Sequence, residues 1–242
     1  MNKMLSLLFA VALLAAACGK EQKNSAAETP TPGRVVSGVK PAGPKNVEAA
    51  LEALADDKES KDRAIWQKPN MVISMLGDLK GKTVADIGAG TGYFAFRLLP
   101  KAEKVVAIDI DERFVAFMDS MKLRLPEQYR DRFEPRLTPP DNPLLQPGEA
   151  DAVIIVNTYG YIGNRTAYLR QVLRGMSAGG QLLIIDFKKN KQPVGPPDQF
   201  KVASSQVERE LISVGFTIEK TDRETLDYQY IILATKPGVT DK

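Results

Sequence analysis

From residue 68 onward, short apolar runs alternate with stretches in which apolar positions recur every three or four residues. The runs are KTVADIG, KVVAIDI, RFEPRL, ADAVIIVN and QLLIIDF, with RFEPRL the least apolar. Such runs predict strands buried on both faces. The stretches between them predict helices. PNMVISMLGDLKG starts at Pro69, carries Met71, Met75, Leu76 and Leu79 on one stripe, and ends near Gly77 and Gly81. YFAFRLLP is stopped by Pro100. In DERFVAFMDSMKLRL the spacing puts Phe114, Phe117, Met121 and Leu125 inward. NRTAYLRQVLRGMSAGG has Asn164 as its cap and Gly179-Gly180 as its end. SSQVERELISVGF follows QLLIIDF. The last two strands, TIEKTD and DYQYIILATK, are separated only by RETL, too little for a crossover helix, so they pair antiparallel. The expected fold class is α/β: a doubly wound, mostly parallel sheet with a C-terminal antiparallel hairpin. No internal repeat is visible.

Upstream the pattern changes. Lys3 precedes an apolar or small run, residues 5–17, too short for an ordinary spanning helix and of signal-peptide length. Residues 19–45 are rich in Pro, Gly, Lys, Ser and Thr, which predicts a tether without a core of its own. NVEAALEALADDKES then predicts a helix capped by Asn46, with Val47, Leu51 and Leu54 on one face. The expected organisation is a signal peptide over 1–17, a modified cysteine and tether over 18–45, and a folded domain over 46–242.

Composition narrows the chemistry. The hydrophobic fraction is 43%, enough for a core, and the net charge of +3 is close to balance, so no nucleic acid partner is expected. There is no histidine and one cysteine, Cys18. Imidazole bases, Ser-His-Asp and Cys-His catalysis, histidine metal sites and internal disulfides are all excluded. No metal site is expected. Ala15, Ala16 and Ala17 followed by Cys18 resemble the lipobox of bacterial lipoproteins, although Ala15 stands where that family usually has leucine. The resemblance implies a lipidated Cys18 and a membrane-anchored protein of the bacterial cell envelope. A plain signal peptide, or a cytoplasmic protein with an unused apolar terminus, is the alternative.

The unusual residues of the domain gather where ligands bind in open α/β sheets, beyond the carboxyl ends of the strands. These segments are 86–92, 109–111, 137–141, 157–161 and 186–189. In VADIGAGTGYF, Gly88, Gly90 and Gly92 let backbone approach a ligand, where a plain strand-to-helix turn needs one or two glycines. Tyr93 occupies the third-glycine place of the dinucleotide motif, which disfavours a nicotinamide oxidoreductase. VADIGAGTGYF with VVAIDID resembles the first two motifs of the class I S-adenosylmethionine-dependent methyltransferases. The likeness extends from about Arg63 to Lys236.

That resemblance implies a Rossmann-like methyltransferase fold, S-adenosylmethionine as cofactor and an unidentified methyl acceptor. It implies that Asp86, Gly88, Ala89, Gly90, Thr91 and Gly92 surround the methionyl part of the cofactor. Asp109, beside Ile110, would accept from the ribose hydroxyls; its alternative is to cap the next helix. Leu137 and Thr138 would frame the adenine. Tyr93, Trp66 and Tyr159 are candidates to face the sulfonium, with sheet-edge packing as the alternative for Trp66. On the acceptor side the candidates are Asn157, Tyr159 and Asp186, with a Lys188 or Lys189 ion pair as the alternative for Asp186. Asn157-Thr158-Tyr159-Gly160 keeps the Asn of amino-group methyltransferases without their prolines. A second expectation is therefore non-catalytic: a lipoprotein that retains the fold and binds another small ligand or a partner.

Overall fold

The computed structural model describes residues 58–238. The expected signal peptide and tether, the expected Asn46 cap with residues 46–57 of the helix predicted to follow it, and residues 239–242 lie outside the described residues. Helices α1 (Lys58–Gln67) and α2 (Pro69–Ser74) lead into a sheet of seven strands: β1 (Thr83–Ile87), β2 (Lys104–Asp109), β3 (Phe133–Leu137), β4 (Ala150–Val156), β5 (Met176–Phe187), β6 (Thr217–Asp222) and β7 (Gln229–Thr235). Between them lie α3 (Ala95–Leu98), α4 (Glu112–Lys122), α5 (Glu127–Arg130), α6 (Arg165–Gly175) and α7 (Ser204–Val214). Two short 3-10 turns, Tyr159–Tyr161 and Asp198–Phe200, complete the order. Among the described residues no helix is long and apolar enough to cross a membrane.

The strand order is β3-β2-β1-β4-β5-β7-β6. The first five are parallel, β5 pairs β7 antiparallel, and β6 pairs β7 antiparallel. The expected doubly wound sheet with its antiparallel end is what forms. The order reverses between β1 and β4, and that switch point opens a crevice at the strands' carboxyl ends.

Side chains alternate between the two faces. Val84, Val105, Ala107, Ile154 and Ile185 join α2, α3 and α4 in one core. Ala85, Val106, Ile108, Ile155 and Ile184 join α6 and α7 in the other. Burial of both faces is why the strands read as unbroken apolar runs.

Three local expectations change. In α4 the buried residues are Met118 and Met121, followed by Leu125, while Phe114 and Phe117 stand out in solvent at 39% and 40% exposure. Stepping back by 3.6 residues from Leu125 lands on Met121 and Met118, not on Phe117. The helix after Asn164 ends at Gly175 instead of Gly179-Gly180, with Met176 already extended at φ −86 and ψ 148, and Gly175 must be glycine because a Cβ there would collide with Leu145. Residues 176–180 instead open β5, whose register against β4 shifts between Ala150 and Ala152. The helix after the glycine loop is four residues long. Asn164 caps α6 as expected, accepting from the Ala167 N–H at 3.2 Å.

Candidate functional site

The glycine loop leaves β1 directly at the switch point. The Gly88 and Ala89 N–H groups donate to the Ile108 carbonyl at 2.9 and 3.0 Å, fixing the loop to the end of β2. The Gly90 N–H donates to Asp109 Oδ2 at 2.7 Å, and the other oxygen of Asp109 accepts from the Asp111 N–H at 2.9 Å. Asp109 thus holds both loops with one carboxylate while Asp111 caps α4.

The three glycines have different reasons to be glycine. A Cβ at Gly88 would collide with the Thr158 side chain, so that glycine lets the β1 and β4 loops touch. A Cβ at Gly92 would lie 2.6 Å from the Phe96 ring, so that glycine seats α3. Gly90, at φ +56, faces no atom within 4 Å. Only Gly90 leaves open space where a side chain would stand.

That space is part of a cavity of about 160 Å³, lined by Arg63, Asp86, Gly88, Ala89, Gly90, Thr91, Tyr93, Phe94, Val156, Asn157 and Thr158. Asp86 is 2% exposed, and its Oδ2 has no hydrogen-bond partner among the described residues. Burial pushes its carboxyl up to about 7, against the opposing pull of the Arg63 charge and the Ala95 N–H. The cavity therefore presents one buried, unsatisfied acceptor, which favours a ligand carrying a donor or a positive charge.

Most of the expected cofactor residues come together. Ile110 and Leu137 are exposed at the rim beside Asp109, at 62% and 48%. Thr138 is buried, donates its N–H to the Asp109 carbonyl at 3.0 Å, and its hydroxyl oxygen has no partner among the described residues. These three residues lie outside the cavity lining. Tyr93 lines the cavity, but the Arg97 and Arg63 guanidinium carbons lie over its ring, 3.9 and 4.3 Å from its centre. Its cation-binding surface already serves two arginines, which corrects its expected role toward a sulfonium. Trp66 takes its packing alternative, with the rings of Phe187 and Tyr228 centred 5.8 and 6.2 Å away.

The acceptor-side set divides. Asn157 lines the same cavity as Asp86, at φ +56, with its N–H on the Ile185 carbonyl at 2.9 Å. Tyr159 turns away into the core beneath α6 and α7. Its hydroxyl donates to Glu210 at 2.5 Å, and Arg165 reaches the same carboxylate at 2.9 Å. Burial first, then Glu210, raises the Tyr159 phenol far above its ordinary range. It neither lines the cavity nor ionises readily, which corrects its expected place in the acceptor set.

Asp186 is 2% exposed and accepts from the Phe187 and Gly160 N–H groups at 2.7 and 3.2 Å. Burial lifts its carboxyl to about 6. It anchors the turn after β4, and Lys188 binds the Leu226 and Asp227 carbonyls instead of pairing with it. Among the described residues no group of three His, Cys, Asp or Glu is placed to hold a metal.

Sequence reasoning missed Arg63, Phe94 and the two glutamines behind the cavity, Gln67 and Gln229. Gln229 had a local signal, a polar residue opening the otherwise apolar QYIILAT. Arg63 lies in a stretch with no motif.

Residues 85–182 match the family model for a methyltransferase domain. The tRNA U34 carboxymethyltransferase of Actinobacillus succinogenes is 29% identical over 155 residues, covering 62% of this chain and 46% of that protein. The chain spans less than half the length of the curated relatives it matches. Among solved structures, a SAM-dependent methyltransferase from Aquifex aeolicus superposes with a TM-score of 0.66 at 23% identity, over 78% of this chain and 97% of the other. The cyclase SpnF superposes at 0.65 with 15% identity, over 80% and 93%. The structural likenesses speak for the fold, and the sequence match speaks for the domain. Residues 85–182 are thus similar to a methyltransferase domain and lie on a Rossmann-like α/β sheet, and S-adenosylmethionine is the cofactor that this similarity implies.

Proposed function

We propose that this chain is an S-adenosylmethionine-dependent methyltransferase whose cofactor binds across the Gly90–Asp109 contact. The observation that carries this reading is the cavity wall itself: an open glycine, a buried aspartate oxygen without a partner, and a second aspartate one loop away. The residues fit the group. Asp86 supplies an acceptor for the ammonium of the methionyl end. Gly90 leaves the volume that end requires. Asp109 has lone pairs beyond those engaged by Gly90 and Asp111, and these suit a pair of vicinal hydroxyls.

S-adenosylmethionine supplies a methyl group on a sulfonium. The chain supplies position. No histidine exists to act as base, and among the described residues Asp86 is the one carboxylate in the cavity wall. Asp86 is taken by the ligand's cation in this reading. Rate enhancement then comes from alignment and from exclusion of water, with the acceptor bringing its own nucleophilic lone pair. The charge of the chain is nearly balanced, so we place the acceptor outside the nucleic acids, although the curated relatives are named for tRNA modification. The same proposal sets the domain at the bacterial envelope through a lipidated Cys18.

A non-catalytic ligand binder is the second reading. It is favoured by the withdrawal of Tyr159 and by a cavity smaller than the roughly 300–1,000 Å³ of most small-molecule sites.

Calorimetry with S-adenosylmethionine and S-adenosylhomocysteine tests the first reading. Gly90→Leu should abolish binding while the protein still melts cooperatively. Asp109→Ala should weaken binding by about 1–3 kcal/mol, the cost of stranding buried polar partners. Tight binding that survives both substitutions removes the assignment. Binding without turnover on any acceptor favours the second reading.

A further inference from the structure

Gln67 in α1 and Gln229 at the start of β7 are both wholly buried. They meet amide to amide, with Gln67 Nε2 donating to Gln229 Oε1 at 3.0 Å. On one side, Arg63 Nε donates to Gln67 Oε1 at 2.5 Å. On the other, Gln229 Nε2 donates to Asn157 Oδ1. Arg63 and Asn157 both line the cavity, so this hydrogen-bonded chain leaves one wall, passes behind it, and returns at another.

The direction of such a chain is normally open, because an amide can be turned over. Here its first member settles the direction. A guanidinium donates and cannot accept. Gln67 must therefore give Arg63 its oxygen, which leaves its nitrogen for Gln229. Gln229 must in turn accept with its oxygen and donate with its nitrogen. Asn157 is then obliged to turn its oxygen inward. What remains at Asn157 is its amide nitrogen, two N–H donors on a residue whose backbone is held by Ile185.

We propose that Gln67 and Gln229 are positioning residues that fix the polarity of the Asn157 amide, so that this end of the cavity receives an oxygen acceptor of the ligand. A carboxylate suits it best, since the Arg63 charge lines the same cavity. The identity of the ligand rests on the methyltransferase reading; the polarity of the chain does not.

The test is nitrogen-resolved NMR of side-chain amide exchange on the full-length chain. Slow exchange is expected at the Gln67 and Gln229 amide protons, and fast exchange at those of Asn157. Adding S-adenosylhomocysteine should slow the Asn157 protons. Gln229→Met should lower S-adenosylhomocysteine affinity about tenfold, the loss of one fixed hydrogen bond. Gln229→Glu at pH 6 keeps one donor and one acceptor when its buried carboxyl is neutral, and should restore affinity to within about threefold of the parent. Protected Asn157 protons in the ligand-free chain overturn the proposal. So does unchanged affinity in a folded Gln229→Met variant. Should that variant fail to fold, the exchange pattern of the parent and the affinity of Gln229→Glu decide. If S-adenosylhomocysteine does not bind the parent, the methyltransferase reading fails, and the exchange pattern alone judges the chain of amides.

Discussion

Asp86 has one carboxylate oxygen against the Ala95 N–H and another with no hydrogen-bond partner among the described residues. The buried site favours the protonated form, with the carboxyl at about 7 in place of 3.8. The sign of its effect on stability follows. Between those values the folded chain holds a proton that the unfolded chain has released. Its favourable contribution is complete below pH 4 and lost as the pH rises through 7, a change on the order of 4 kcal/mol. Asp186, lifted to about 6, acts in the same direction. Melting temperature should therefore fall between pH 5 and pH 8, and Asp86→Asn should flatten much of that fall. An equal decline in parent and variant would show that the Asp86 oxygen finds water. A cation placed beside the carboxylate reverses the preference. Ligand affinity should accordingly rise from pH 6 to pH 8 in the parent and stay level in Asp86→Asn.

At the scale of elements, α4 separates what a periodic pattern tells from what packing decides. Phe114 and Phe117 fit an apolar stripe with Met121 and Leu125, and so does Met118; the structure buries the methionines and exposes the phenylalanines. Met118→Ala should cost about 2–4 kcal/mol in urea unfolding, as for other truncations in a sealed core. Phe117→Ser should cost under about 1 kcal/mol, as at exposed sites generally. Reversed magnitudes would put the inward stripe back on the phenylalanines. The strands were legible because burial on both faces writes an unbroken apolar run. The end of α6 was not: the chain turns extended at Met176, before the Gly179-Gly180 pair, and Gly175 has to be glycine only because of Leu145, a contact from another part of the chain. The site divides in the same way. The glycine loop and Asp109 lie within one βαβ unit and announce themselves locally. The amides behind the cavity do not, since Gln67 and Gln229 are 162 residues apart and nothing in either neighbourhood names the other. Tyr159 looked available for chemistry because it follows β4; Glu210 on α7, which the local sequence cannot show, draws it into the core.

At the scale of the whole molecule, the domain must be reconciled with the first eighteen residues. Lys3, the apolar run over 5–17, three alanines and the only cysteine of the chain together favour cleavage before Cys18 and its lipidation. Two or more acyl chains would hold the domain stably at a membrane surface where one would be marginal. The cofactor argues against this placement, because S-adenosylmethionine carries a permanent charge and does not cross a bilayer unaided. An exported enzyme needs the cofactor delivered, and an exported binder needs another ligand with a cation for Asp86. Mass spectrometry of the mature N-terminus separates the cases, with Cys18→Ala as control. The expected result is a diacylated or triacylated Cys18 in the membrane fraction of the parent, and loss of that species in the variant. An intact Met1 in the soluble fraction would defeat the anchor and leave a cytoplasmic methyltransferase. In that event the cofactor is already at hand, and the buried oxygen of Asp86 has its cation without any transport step.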